Sequence, residues 1–126
     1  MGRATRFSIG LLLCVMAMQA RAATITVTNT NDSGPGSLRQ ALANANNGDT
    51  ISFAVTGTIS LFNGELVIGK NVTIAGPGAN QLAINASLWG TQAIFHVVSG
   101  KAVTISGLTI AVGGILNDEA ILTVSN

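Results

Sequence analysis

The stretch Lys101-Ala-Val-Thr-Ile-Ser-Gly-Leu-Thr-Ile-Ala-Val-Gly113 holds two short alternating runs with one break between them. Val103 and Ile105 are two apart, and so are Leu108, Ile110 and Val112, but Ser106-Gly107 shifts the second series by one position. Side chains on a strand alternate between faces, so one straight strand would turn the second series away from the first. A tight corner at Ser106-Gly107 removes the conflict, because the chain bends and both runs keep facing one interior. Two short strands meeting at a corner around a shared interior make one side of a solenoid coil.

The chain has 126 residues, 48% of them hydrophobic and 9% charged, which fits one domain. Residues 1–22 are predicted to be a secretory signal peptide. Arg3 and Arg6 precede an apolar run from Phe7 to Met18, and Ala20-Arg21-Ala22 has the small-x-small form of a cleavage site. The apolar run is well short of the ~20 residues of a membrane-spanning helix, so no integral span is expected once the signal is removed. The folded domain is then 23–126, exported to the cell surface or beyond. The lone cysteine, Cys14, leaves with the signal, and a mature chain without cysteine must be held by packing and backbone pairing. Cleavage leaves three basic residues (Arg39, Lys70, Lys101) against five acidic ones (Asp32, Asp49, Glu65, Asp118, Glu119). That balance offers no basic patch for nucleic acid or anionic lipid.

Thr24 to Asn29 alternates and is rich in β-branched residues, so it is predicted to be a strand. Thr30 to Gly36 is a dense turn cluster. One helix follows, over Leu38 to Asn46. Ser37 with Gln40 forms a capping box, Leu38, Ala41, Leu42 and Ala45 share one face, and Asn47-Gly48 supplies a left-handed stop. Beyond Gly48 the pattern is strand and turn: Thr50–Val55, Thr58–Leu61, Leu66–Ile68, Val72–Ala75, Leu82–Asn85, Phe95–Ser99, Val103–Ile105, Leu108–Val112 and Ile121–Val124. Asn63-Gly64 is the single candidate for a hairpin turn.

Asn71-Val-Thr-Ile-Ala-Gly76, Ala102-Val-Thr-Ile-Ser-Gly107 and Ile121-Leu-Thr-Val-Ser-Asn126 share one pattern of apolar, Thr, β-branched, small, then Gly or Asn. Ile74 to Ile105 is 31 residues and Ile105 to Val124 is 19. The shorter spacing fits one coil, and the longer one predicts an insertion at Pro77–Trp89. Each Thr is expected to face outward beside the Thr of the next coil.

The segment from Asp32-Ser-Gly-Pro-Gly-Ser-Leu-Arg to Asp49-Thr-Ile-Ser-Phe53 resembles the opening of bacterial exported right-handed parallel β-helix proteins. These are the polymorphic-outer-membrane-protein-like and choice-of-anchor proteins of the pectate-lyase-like superfamily. Lys70–Ala79, Val103–Ile110 and Gly113–Asn126 are similar to their following coils, so the resemblance covers Ala23 to Asn126. It implies an all-β fold, a right-handed parallel β-helix (solenoid) with one short N-terminal capping α-helix, continued in relatives by further coils where this sequence stops. The adhesin tetrapeptides are only partly present. Gly113-Gly-Ile-Leu116 carries Ile where Ala is usual, and no Phe is followed by Asn three residues on.

Little here carries chemistry. The superfamily's lyases gather carboxylates around calcium beside a basic residue, whereas only Asp118 and Glu119 are adjacent in this chain, and neighbours on a strand face opposite ways. His96, in Ile94-Phe-His-Val-Val98, is expected on the outside with Phe95 and Val97 inside. Ser33, Ser37 and Ser99 lack a partner base, and Arg39 is expected to be solvated. Phe62 and Trp89 would stack on sugar rings if exposed on one flank, or else cover the helix or the insertion. No catalytic, cofactor or metal residue is assigned. The expected function is a non-enzymatic surface module, adhesin-like or a stalk that displays loops. Its partners would be surface carbohydrate or a host or neighbouring-cell protein, with self-association through an open last coil. The alternatives are the amino-terminal piece of a polysaccharide lyase or hydrolase, and a truncated product without independent activity.

Overall fold

The computed structural model describes residues 21–86 and 93–126. Of the predicted signal peptide, residues 1–20, with Cys14 among them, lie outside the described residues, and so does Trp89. Among the described residues, β1 (Thr24–Val27) precedes the one helix, α1 (Leu38–Asn44). There follow β2 (Thr50–Phe53), β3 (Gly57–Leu61), β4 (Leu66–Ile68), β5 (Val72–Ala75), β6 (Leu82–Ala86), β7 (Phe95–Val97), β8 (Ala102–Ser106), β9 (Thr109–Val112), β10 (Ile115–Asn117) and β11 (Ile121–Ser125).

These strands form three sheets, ordered β1-β2-β5-β8-β11, β3-β6-β9 and β4-β7-β10. From β2 onward the chain visits the three sheets in fixed rotation, so each strand pairs in parallel with the strand three places later. The chain is therefore all-β with parallel sheets and one short helix. Inward positions stack from one circuit to the next: Ile51 on Ile74 on Ile105, Ile59 on Ile84, and Leu66 on Phe95. All seven are buried, and together with Val27, Ile68, Leu82 and Val97 they form one continuous apolar core. No long-hairpin architecture offers this arrangement, because a tight two-residue turn joins only antiparallel strands.

The corner at Ser106-Gly107 is present. Val103 and Ile105 of β8 lie in the five-stranded sheet, while Thr109 to Val112 of β9 pairs with β6 in another. Gly107 has φ of +66°, and it faces Gly76 of the previous circuit so closely that neither position has room for a side chain. Leu108 is buried beyond the corner, as expected. Val112 is not. One residue of β9 is skipped between Ile110 and Val112, which places Val112 opposite Asn85 on the outer face, 56% exposed. A bulge of this kind reverses the facing of everything after it.

Other expectations are corrected. The helix ends at Asn44, because Ala45 is already extended (ψ 148°); Gly48 belongs to the turn into β2 and does not stop the helix. Only half of the capping box forms. The Gln40 amide donates to Ser37 Oγ at 3.1 Å, but the Gln40 side chain reaches forward to Asn44, and Ser37 N–H donates to the Gly34 carbonyl instead. Asn63-Gly64 makes no hairpin, since β3 and β4 lie in different sheets. Nor is Pro77–Trp89 an insertion, because β6 occupies Leu82–Ala86 as a regular rung paired to β3. The extra length of that circuit falls on both sides of β6: six residues join β5 to β6 where three join β2 to β3, and eight join β6 to β7 where four join β3 to β4. β10, unmarked in the sequence, stacks Ile115 on Phe95.

The outward Thr ladder is longer than the three repeats implied. Thr24, Thr50, Thr73, Thr104 and Thr123 stand in one register across all five strands.

Candidate functional site

α1 lies at the amino-terminal edge of the core, where it buries Leu38, Ala41 and Leu42. Its polar residues fasten it there. Arg39 is not a solvated side chain. It donates from Nε and Nη2 to the carbonyl and carboxylate of Asp32, and from Nη1 and Nη2 to the carbonyls of Glu65 and Gly64, at 2.8 to 3.1 Å. Asp32 in turn accepts the amides of Phe62 and Asn63 with its other oxygen, both at 2.9 Å. One ion pair thus ties the turn before the helix, the helix and the β3–β4 turn together. At the other end Lys70 donates to the Leu42 and Ala43 carbonyls, unpaired acceptors at a helix C-terminus. Buried Asp49 accepts the amides of Ala23 and Asn46, each at 2.8 Å, and so joins β1 to the chain leaving α1.

Both aspartates titrate below their ordinary range. For Asp32, burial opposes ionisation but is outweighed by the Arg39 hydrogen bond, the Phe62 and Asn63 amides, and the Arg39 charge. For Asp49, the Ala23 and then the Asn46 amides outweigh burial, with Lys70 adding to them. A carboxylate depressed in the folded state contributes stability above its unfolded value of ~3.9, and that contribution is lost as pH falls through the folded value. We expect Arg39→Ala to cost about 2–3 kcal/mol at neutral pH, since it removes hydrogen bonds between charged groups in a partly exposed site. The variant should also lose less further stability than the parent between neutral pH and pH ~3. Urea melts at the two pH values check both. Equal pH losses in parent and variant would show that Asp32 is not held by Arg39.

Among the described residues, the remaining titratable groups make no reactive cluster. His96 stands on the outer face as expected, between buried Phe95 and Val97. It has a carboxylate beside it that alternation along β7 does not disclose: Nδ1 lies 2.9 Å from Glu65 Oε1, just before β4. A histidine–carboxylate pair needs a nucleophile on its far side to catalyse acyl transfer. Its register neighbours in the sheet are Val67 and Leu116, both exposed and both hydrocarbon. Asp118 and Glu119 are exposed in the β10–β11 turn, where Glu119 takes a positive φ of 53°. Among the described residues no three His, Cys, Asp or Glu come close enough to hold a metal ion. Among them also, no helix is long and apolar enough to cross a membrane. Ser37 is the helix cap; Ser33 lies in the turn cluster and Ser99 in the turn after β7.

Phe62 is 57% exposed at the lip of a cleft of about 450 Å³ lined by Asn31, Asp32, Ser33, Thr58 and Ser60. Its backbone amide donates to Asp32, which holds this turn against the cap. An aromatic ring beside hydroxyl and amide groups can receive the apolar face of a sugar. Comparison with protein-family models, with curated proteins and with solved structures found no match to this chain.

Proposed function

We propose that this chain is an exported, non-enzymatic surface module built as a right-handed parallel β-helix under a helical cap, adhesin-like or serving as a stalk. The observation that carries the proposal is the rotation of short parallel strands through three sheets around one apolar interior. Right-handed winding is favoured because a connection between parallel strands of one sheet is right-handed in ~98% of cases. Against catalysis stands the placement of the ionisable groups. Asp32, Asp49, Arg39 and Lys70 are engaged in holding the cap, and His96 with Glu65 faces hydrocarbon. Export rests on the basic, apolar and Ala-Arg-Ala segments of residues 1–22. Surface carbohydrate, met at the Phe62 cleft, is the partner this surface suits best.

Cell fractionation with amino-terminal sequencing tests the proposal. The expected result is a product beginning at Ala23 and digested by protease added to intact cells. A cytoplasmic product that retains Met1 would overturn export. Depolymerisation of pectate or another uronate polymer, with or without calcium, would overturn the non-enzymatic assignment.

A further inference from the structure

The outer face of the five-stranded sheet carries a second rank of small polar side chains beside the threonine ladder. Two residues along each strand stand Thr26, Ser52, Ala75, Ser106 and Ser125, again in register across all five strands. Nine of these ten outward positions bear a hydroxyl group and none bears a charge. All ten are exposed or half-exposed. Thr26 and Ser52 already touch across the ladder at 3.2 Å. Beside the first rank runs an open trough of about 190 Å³, bounded by Thr73, Thr104 and Thr123 and by Asn71, Ala102 and Ile121, with Asp49, its carboxylate already accepting two amides, at one end.

Stacking alone accounts for one column of threonines, since neighbouring threonines on paired strands favour each other. It does not require the second rank, nor an absence of charge from a face where lysine or glutamate would serve solubility as well. The pleat sets the spacing of the hydroxyl groups at about 4.8 Å from strand to strand and about 6.7 Å between the two ranks. Two water molecules bonded at about 2.75 Å to one shared tetrahedral water lie about 4.5 Å apart, and a tetrahedral water lattice repeats after about 7.3 Å in the perpendicular direction. Both mismatches are smaller than the reach of a rotating hydroxyl group. The threonine methyl groups add an apolar floor over which water must bond sideways into a net instead of down into the protein.

The geometry points to this sheet face as an ice-binding surface, whose hydroxyl ranks hold water at the spacing of the crystal and so adsorb to a growing ice front. An uncharged, regular face suits that occupant better than a polyelectrolyte, which would need fixed charges. An adsorbed protein forces ice to grow in curved fronts between bound molecules, which lowers the freezing point below the melting point.

The test is the gap between freezing and melting temperatures for the full chain at millimolar concentration, together with ice recrystallisation at micromolar concentration. Thr73→Lys, on the middle strand, and Thr104→Lys, on its neighbour, place a charge in the face without touching the core. Val67→Lys does the same on the outside of the β4-β7-β10 sheet, where Val67 is exposed. The expected result is a measurable gap and faceted crystals for the parent and for Val67→Lys, and a loss of at least several-fold for Thr73→Lys and Thr104→Lys with unchanged circular dichroism. No effect of the parent on ice would overturn the inference. So would a natively folded Thr73→Lys or Thr104→Lys as active as the parent, or a change in oligomeric state as the only consequence of the two lysines, which would make the face a contact between copies.

Discussion

Gly107→Ala is expected to cost about 3–5 kcal/mol, enough to unfold much of the population of a chain with the usual ~5–15 kcal/mol of stability. Two costs add at this position. A φ of +66° penalises any residue with a Cβ, by about 1–2 kcal/mol. The added carbon would also sit 2.5 Å from the Gly76 carbonyl oxygen, a backbone atom that cannot swing away. Gly76 is itself fixed by its N–H to the Ser106 carbonyl at 2.8 Å, so relief at the corner would break the pairing of successive circuits. Gly100→Ala separates the two costs, because Gly100 shares the positive φ (79°) but has nothing within 4 Å of an added Cβ. It should lose only the 1–2 kcal/mol of the dihedral. Gly76→Ala should resemble Gly107→Ala despite lacking a positive φ, since its Cβ would lie 2.6 Å from the Gly107 carbonyl carbon. Denaturant midpoints for the three variants decide the matter. If Gly107→Ala melts with Gly100→Ala, the two corners do not stack.

The corner also marks what was legible in the sequence. A one-residue phase shift at Ser106-Gly107 reveals a bend because burial demands that both runs face inward. Nothing in that pattern says that Gly76 will stand directly on Gly107, a fact of register between circuits. Strand positions were readable wherever alternation lasted four residues, as at Val72–Ala75. β10 is not legible, because Ile115-Leu116-Asn117 ends on a polar residue between Gly113-Gly114 and Asp118-Glu119, whereas the equally short β4, Leu66-Val67-Ile68, is apolar throughout. The bulge after Ile110 has no local signature, so alternation places Val112 inside where the fold turns it out. Chemistry fared differently. The roles of individual charges are not legible in the composition. Arg39 looks like any exposed helix residue, and only the fold brings Gly64 and Glu65 to its guanidinium. Likewise His96 and Glu65 are separated by 31 residues and meet because β4 and β7 are neighbours. Contacts between circuits depend on circuit length, and here that length is irregular.

Phe95→Ala is the second large effect, expected to cost about 3–5 kcal/mol, whereas His96→Ala should cost less than about 1 kcal/mol. One peptide bond separates the two positions. Phe95 is fully buried and heads the largest core side chains, stacked between Leu66 and Ile115. Removing its ring leaves a void, because the backbone on either side is held in parallel ladders and cannot collapse inward. His96 keeps a quarter of its surface in water, and its partner Glu65 is more exposed still. Such a pair gives little stability. Phe95→Leu should recover more than half of the loss, since leucine refills most of the volume. Urea unfolding of the three variants under one set of conditions measures the contrast. A His96→Ala loss as large as that of Phe95→Ala would mean that β7 faces the other way, and the inward stacking of Leu66, Phe95 and Ile115 would fall with it. Under the non-enzymatic reading, His96→Ala should also leave surface export and ligand retention unchanged. The most chemically suggestive side chain in the chain would then be silent in every measurement, while its hydrocarbon neighbour decides whether the protein folds.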